Sequence, residues 1–110
     1  MEGQSTAAAA AAIHRIEILY CTQCRWMLRA AWMAQELLST FDGDIEALTL
    51  RPGTGGVFEV RVDGALLWSR KEQGRFPEIT ELKQRVRDVI DPVRDLGHVD
   101  RSRPPPQSQG

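Results

Sequence analysis

Both cysteines of this chain fall in one short stretch, "YCTQCRW", as Cys21 and Cys24. Two thiols at that spacing support three chemistries: a structural disulfide, half of a metal site, or a redox pair. A cross-link over so small a loop removes little entropy from the unfolded chain, so it makes a weak staple. A structural zinc needs four ligands, of which one C-x-x-C supplies two. The only histidines are His14 and His98. His14 precedes Cys21 on a predicted strand, which puts it roughly 20 Å away, and His98 sits in a polar tail. The metal reading therefore needs a zinc shared between two subunits. The redox reading needs only what the chain already holds. A thiol placed where a strand hands over to a helix meets unpaired N–H groups and the positive end of a dipole, both favouring thiolate. Arg25 and Arg29 add positive potential unless they point to water, and a second thiol in reach resolves a mixed disulfide. A C-x-x-C beside a βαβ pattern is the sequence sign of this chemistry.

The flanking elements are legible from their periods. In "IHRIEILY" (Ile13–Tyr20), Ile16, Ile18 and Tyr20 alternate on one face, as in a strand. Met27, Ala30, Ala31, Ala34, Leu37, Leu38 and Phe41 then recur at helical spacing, and Gly43 follows as a stop. "IEALTL" (Ile45–Leu50) is a second strand, and a crossover of this length implies a right-handed parallel pair. Asp63-Gly64 between two apolar runs is the preferred two-residue hairpin turn. Across it, Val62 is expected to face Ala65 and Val60 to face Leu67, leaving Glu59, Arg61, Leu66 and Trp68 on the other side. Over Phe76–Ile90, a stripe of Ile79, Leu82, Val86, Val89 and Ile90 predicts an amphipathic helix. Pro77, Glu78 and Glu81 suit its first turn and Pro92 stops it. The order is β-α-β-β-β-α.

The 110 residues suit one domain, and 42% hydrophobic with 26% charged residues is a globular composition. A net charge of −1 gives no electrostatic reason to expect nucleic-acid binding. No apolar run is long enough to span a bilayer, and no basic residue precedes the alanine run as in a secretory signal. The cytoplasm is thus the expected compartment. Met1–Ala12 is low in complexity and is expected to be disordered. Residues 92–110, ending in the proline-rich "RSRPPPQSQG", are expected to form a flexible tail. The folded core would be Ile13–Asp91. Trp32 and Phe41 are assigned to the helix core, whereas Trp26 and Met33 fit poorly on the main stripe. Exposed together, such residues would mark a partner-docking patch. Arg70, Lys71 and Arg75 form a basic cluster most simply read as a solvated loop, the alternative being a hold on an anion such as a glutathione carboxylate.

The segments "YCTQCRWMLRAAWMAQELLSTF", "PGTGGVFEVRVDG" and "WSRKEQGRFPEITELKQRVRD" together resemble the bacterial selenoprotein W-like branch of the selenoprotein T/W/H (Rdx) family. The likeness runs from about Ile13 to about Asp91, and "RDLGH" beyond is similar to bacterial members as well. It implies an α/β, thioredoxin-like β-α-β-β-β-α fold with one four-stranded mixed sheet and two helices. It also implies a redox role at Cys21 and Cys24, with peroxide or glutathione chemistry proposed for relatives. Cys24 matches the position that holds selenocysteine in selenium-containing members, so selenium-dependent rates do not carry over. Thioredoxins proper place a cis-proline before the strand facing the site, where this chain has Gly55-Gly56. The expected function is a small thiol–disulfide redox protein without a cofactor. Its partners would be thiol or disulfide proteins or glutathione, and a monomer is favoured. The alternative is a redox-sensing interaction module.

Overall fold

The computed structural model describes residues 13–97. The expectations for Met1–Ala12, for residues 98–110 and for His98 lie outside the described residues. The elements are β1 (His14–Cys21), α1 (Met27–Thr40), β2 (Ile45–Gly53), β3 (Phe58–Val62), β4 (Ala65–Ser69), α2 (Arg70–Gln73) and α3 (Ile79–Ile90). One sheet runs in the order β2-β1-β3-β4. β1 and β2 are parallel and the other neighbours antiparallel. This is the expected mixed four-stranded α/β scaffold, with one helix more than the two expected. The extra helix, α2, is a single turn and too short to leave a period in the sequence. Ser69 Oγ accepts from the Glu72 N–H at 3.4 Å to start it, and the Gly74 N–H donates to Arg70 O at 2.7 Å to end it.

Ile16 and Ile18 of β1, Phe58, Val60 and Val62 of β3, and Trp68 of β4 form the buried face of the sheet. They pack with Ala30, Met33 and Leu37 from α1, with Phe41 just after it, and with Leu82 and Val86 from α3. Lys83 Nζ donates to Glu36 Oε1 at 2.7 Å and joins α3 to α1. The odd-numbered positions of β1 face the other way, among ion pairs such as Arg51–Glu17 at 3.5 Å and Arg61–Glu59 at 3.1 Å. Among the described residues no helix is long and apolar enough to cross a membrane.

The structure changes three assignments of face. In α1 the buried residues are Ala30, Met33, Ala34 and Leu37, whereas Met27, Trp32 and Leu38 are 49%, 46% and 44% exposed. The buried stripe shifts to include Met33, 1% exposed, and Trp26 packs partly buried against the core, whereas Phe41 is buried as expected. In the hairpin, Val62 pairs with Ala65 and Arg61 with Leu66, but a bulge then pairs Val60 with Trp68 rather than Leu67. The inserted residue flips the rest of β4 to the opposite face, and Trp68 is buried at 1% exposure. Its Nε1–H donates to Arg75 O at 3.1 Å, which satisfies the polar end of the ring. In α3, Val89 is half exposed, because the helix starts only at Ile79 and its inward stripe runs through Leu82 and Val86. Pro77 lies before Glu78, the residue that caps the helix in a reciprocal capping box with Glu81.

Candidate functional site

Cys21 is the last residue of β1 and pairs with Gly53 of β2, which fixes its backbone inside the sheet. Its side chain is buried. β2 runs to Gly53, beyond the predicted end at Leu50, and this extension completes the pairing beneath the thiols. Cys24 follows in a tight turn in which the Arg25 N–H donates to Thr22 O at 3.0 Å. Its side chain is exposed. The two Sγ atoms are 2.7 Å apart with Cys24 donating to Cys21, in direct contact and within reach of each other for a disulfide.

Cys24 lies outside the helix, in the turn before it. Arg25 takes φ +64°, the left-handed region that interrupts a helix and costs a non-glycine residue about 1–2 kcal/mol. α1 therefore begins only at Met27, with Trp26 as its N-terminal flank and no side chain capping it. The amides that reach the sulfurs come instead from the turn and from a facing loop. The Cys24 S–H, opposed by burial and aided by the N–H groups of Gly56, Cys24 and Gln23, lowers the pKa of Cys21 below the ordinary thiol value. Cys24 is raised, first because it donates to Cys21, then by desolvation and by repulsion from the Cys21 thiolate. The Gly56 N–H and the Arg70 charge oppose that rise. Acidity and exposure thus point to different sulfurs: the first proton to leave uncovers Cys21, while Cys24 is the sulfur that a partner can touch.

Gly55 and Gly56 both have φ +76°, a conformation that glycine reaches without strain and that turns the Gly56 N–H toward the thiols. There are no cis peptide bonds among the described residues. The position that thioredoxins fill with a cis-proline is here a hydrogen-bond donor.

An aromatic cluster stands beside the thiols. Trp26 meets Phe76 edge to face at 4.8 Å and Phe58 at 6.4 Å, and Phe58 meets Phe76 at 5.1 Å. Arg29 lies over Phe76 at 4.0 Å. Arg70 lies over Trp26 at 4.9 Å and Phe76 at 5.1 Å. The cation that acts on Cys24 is therefore Arg70, brought in by β4 and α2, rather than its sequence neighbours Arg25 and Arg29. Sequence reasoning missed this role, because the only signal was a basic cluster that resembled a loop. Its three members separate. Arg70 joins the site, Lys71 is exposed, and Arg75 makes a bidentate pair with Glu81 at 2.9 Å. His14 is at the far end of β1, where its Nδ1 is 2.7 Å from Asp63 Oδ2.

A C-x-x-C dithiol at the end of the first strand of a thioredoxin-like sheet, ringed by loop amides, an arginine and aromatic rings, defines a redox-type class of α/β protein. The chain belongs to the Rdx family, whose sequence model matches residues 15–88. It is 63% identical to a Bordetella parapertussis protein of known crystal structure, covering 69% of this chain and 96% of that one with a TM-score of 0.68. It is 58% identical to the selenoprotein W-related protein from Vibrio cholerae, covering 71% and 98% with a TM-score of 0.69. Among curated proteins it is 30% identical to migration and invasion enhancer 1 of Bos taurus, over 83% of this chain and 76% of that protein.

Proposed function

We propose that this chain is a thiol–disulfide exchange protein in which Cys24 meets the partner and Cys21 resolves the intermediate. The observation that carries the reading is the contact of an exposed sulfur with a buried one at 2.7 Å. One proton is shared between them after the first ionisation. When it sits on Cys21, the Cys24 thiolate attacks one sulfur of a partner disulfide. A Cys24–partner bond forms and the other partner sulfur leaves as thiolate. Cys21 then gives up its proton, its thiolate held by the N–H groups of Gly56, Cys24 and Gln23. It attacks Cys24 and expels the second partner sulfur. The partner gains two electrons and two protons, and Cys21–Cys24 is left as a disulfide.

Protein disulfides and glutathione are the proposed partners, and a reducing cytoplasm, supporting redox homeostasis, is the compartment that suits a free dithiol. With a hydroperoxide, Cys24 is again the sulfur positioned to attack, taking one oxygen as sulfenic acid before Cys21 displaces it as water. A redox-sensing module without turnover is the second reading, favoured by the exposure of Leu28 and Trp32 on α1 near the pair.

The test is to equilibrate the reduced protein with oxidised glutathione and count thiols by alkylation and mass. The proposal expects both thiols to disappear together into an intramolecular disulfide, with fast re-reduction by glutathione or thioredoxin. Thiols that stay free, or an adduct on one cysteine that never closes, would overturn it. Closure without turnover would move the assignment to the sensing module.

A further inference from the structure

The cations of this protein are segregated by whether they have a carboxylate partner. Among the described residues, every lysine and arginine away from the thiols lies within 4.0 Å of an acidic side chain. Arg15, Arg51, Arg61 and Arg75 are paired, as are Lys83, Arg85, Arg87 and Arg94. Arg25, Arg29, Arg70 and Lys71 are not, although Glu72 shares the turn of α2 with the last two. All four belong to the segments that flank the C-x-x-C and its aromatic cluster, and Arg70 is the one whose charge acts on Cys24. Arg25 follows it directly, Arg29 and Arg70 share the Phe76 ring, Arg70 also covers Trp26, and Lys71 adjoins Arg70. Since the whole chain has a net charge of −1, this is a local feature and not a basic protein's general surplus.

A second observation is independent of charge counting. Arg70 Nε is buried and has no hydrogen-bond partner. Buried donors are nearly always satisfied, and leaving one unmade costs about 1–3 kcal/mol. Next to the cations, α1 leaves Leu28 79% and Trp32 46% exposed, one turn apart on its open side.

We propose that the end of the molecule around Cys24 is a docking surface for an acidic polypeptide segment. Its carboxylates pair with Arg25, Arg29, Arg70 and Lys71, and its apolar side chains lie on Leu28 and Trp32. The inference rests on the exchange reading above and names the kind of protein whose thiol or disulfide reaches Cys24. Charge complementarity selects an acidic partner. Extent selects a polypeptide: the surface runs about 6 Å along α1 from Leu28 to Trp32 at the helical rise, continues into the turn that carries Arg25, and includes α2 on the other side of the aromatic cluster. A small anionic thiol would engage the cations and leave the apolar pair uncovered.

The experiment uses the full chain and disulfide-linked peptides of one sequence in three forms: rich in Asp, Glu and Leu, with the acids changed to Asn and Gln, and with the acids changed to Lys. Oxidised glutathione and an uncharged hydroxyethyl disulfide are the references. At low salt the acidic peptide should react at least about 10-fold faster than its amide form, by steering and pairing, and high salt should abolish the difference. Arg25→Gln with Lys71→Gln, both at exposed positions, should remove most of that advantage. Leu28→Ser with Trp32→Ser should slow the acidic peptide and leave glutathione unchanged. Equal rates for the three peptides would overturn the proposal, as would glutathione matching the acidic peptide in rate and salt dependence. A failure of the exchange reading is separable, since then no disulfide reacts, the uncharged one included. A cysteine-free acidic peptide titrated into the Cys21→Ser/Cys24→Ser protein reads docking alone. Saturable, salt-weakened binding supports the surface, and its absence overturns it.

Discussion

At the scale of single residues, the site divides acidity from accessibility. The Cys21 thiolate is stabilised by Cys24 and three backbone N–H groups yet is buried, whereas Cys24 is exposed yet raised by the same contact. Changing Cys21→Ser removes the thiolate that raises Cys24 and keeps the Gly56 N–H and Arg70 nearby. The Cys24 pKa should therefore fall relative to the parent, seen as a larger fraction of ultraviolet thiolate absorbance near neutral pH. In Cys24→Ser, the remaining Cys21 should react with a bulky maleimide at least about 10-fold more slowly than Cys24 does in Cys21→Ser, because the reagent must reach a thiol within the protein. If instead Cys21 is trapped first by maleimide or by brief peroxide exposure, the order of attack is reversed. Arg70→Gln should raise the Cys24 pKa further, since its charge is the one that lowers it. The pair itself was legible from two letters in the sequence. Arg70 was not, because a guanidinium at the start of α2 comes near Cys24 only after β4 folds beside β3.

At the scale of elements, the bulge in β4 and the rotation of α1 exchange the roles of two tryptophans. Trp68, buried with its N–H bonded to Arg75 O, should cost about 3–5 kcal/mol when changed to alanine. Trp32→Ala should cost less than about 1 kcal/mol, because nearly half of the ring already meets water. Chemical denaturation of the two variants checks both, and the opposite ranking would restore the face assignment expected from alternation alone. The hairpin also carries a pH response. Asp63 has its pKa lowered below the ordinary carboxyl value of 3.8, first by His14 and then by the Arg15 N–H. The unfolded chain therefore binds a proton more readily than the folded one. Asp63 contributes stability above its unfolded pKa, and that contribution is lost as the pH falls through the lower, folded value. Glu81, lowered by Arg75, behaves in the same sense. Asp63→Asn and Glu81→Gln should each flatten the acid limb of the stability curve below about pH 4, and leave its slope near neutrality unchanged.

At the scale of the molecule, the fold continues past the end of α3. Arg94 pairs with Asp44 at 2.6 Å and with Asp91 at 3.3 Å, Arg87 donates to Arg94 O at 2.9 Å, and Leu96 packs against the core. Neither Met1–Ala12 nor Arg101–Gly110 carries an apolar stripe in the sequence, so deleting both should leave the thermal transition unchanged. Extending the second deletion back to Pro92 should lower it, by about 1–2 kcal/mol for a partly exposed ion pair and one apolar contact. The site predicts a local redox response as well. Because the sulfurs already touch, oxidation should shift amide resonances around Tyr20–Arg29, Gly53–Phe58 and Arg70, and leave Leu82–Ile90 in place. Shifts spread along α3 would mean that the disulfide reorganises the core.

The sequence alone determined the order of elements apart from the one-turn α2, the parallel pair, the hairpin and the C-x-x-C between β1 and α1. Each of these is written in contiguous residues: periods of two and of 3.6, an Asp-Gly turn at positive φ, two cysteines three positions apart. The tertiary structure alone decided which faces are inside and which groups surround the sulfurs. One inserted residue in β4 reverses a face without disturbing composition. A left-handed Arg25 delays the helix without a glycine to announce it. The Gly56 N–H and the Arg70 charge come from segments that meet Cys24 only across the sheet. Local pattern encodes what the backbone does between neighbours, whereas acidity and recognition depend on distances between chain segments, and those exist only once the sheet has closed.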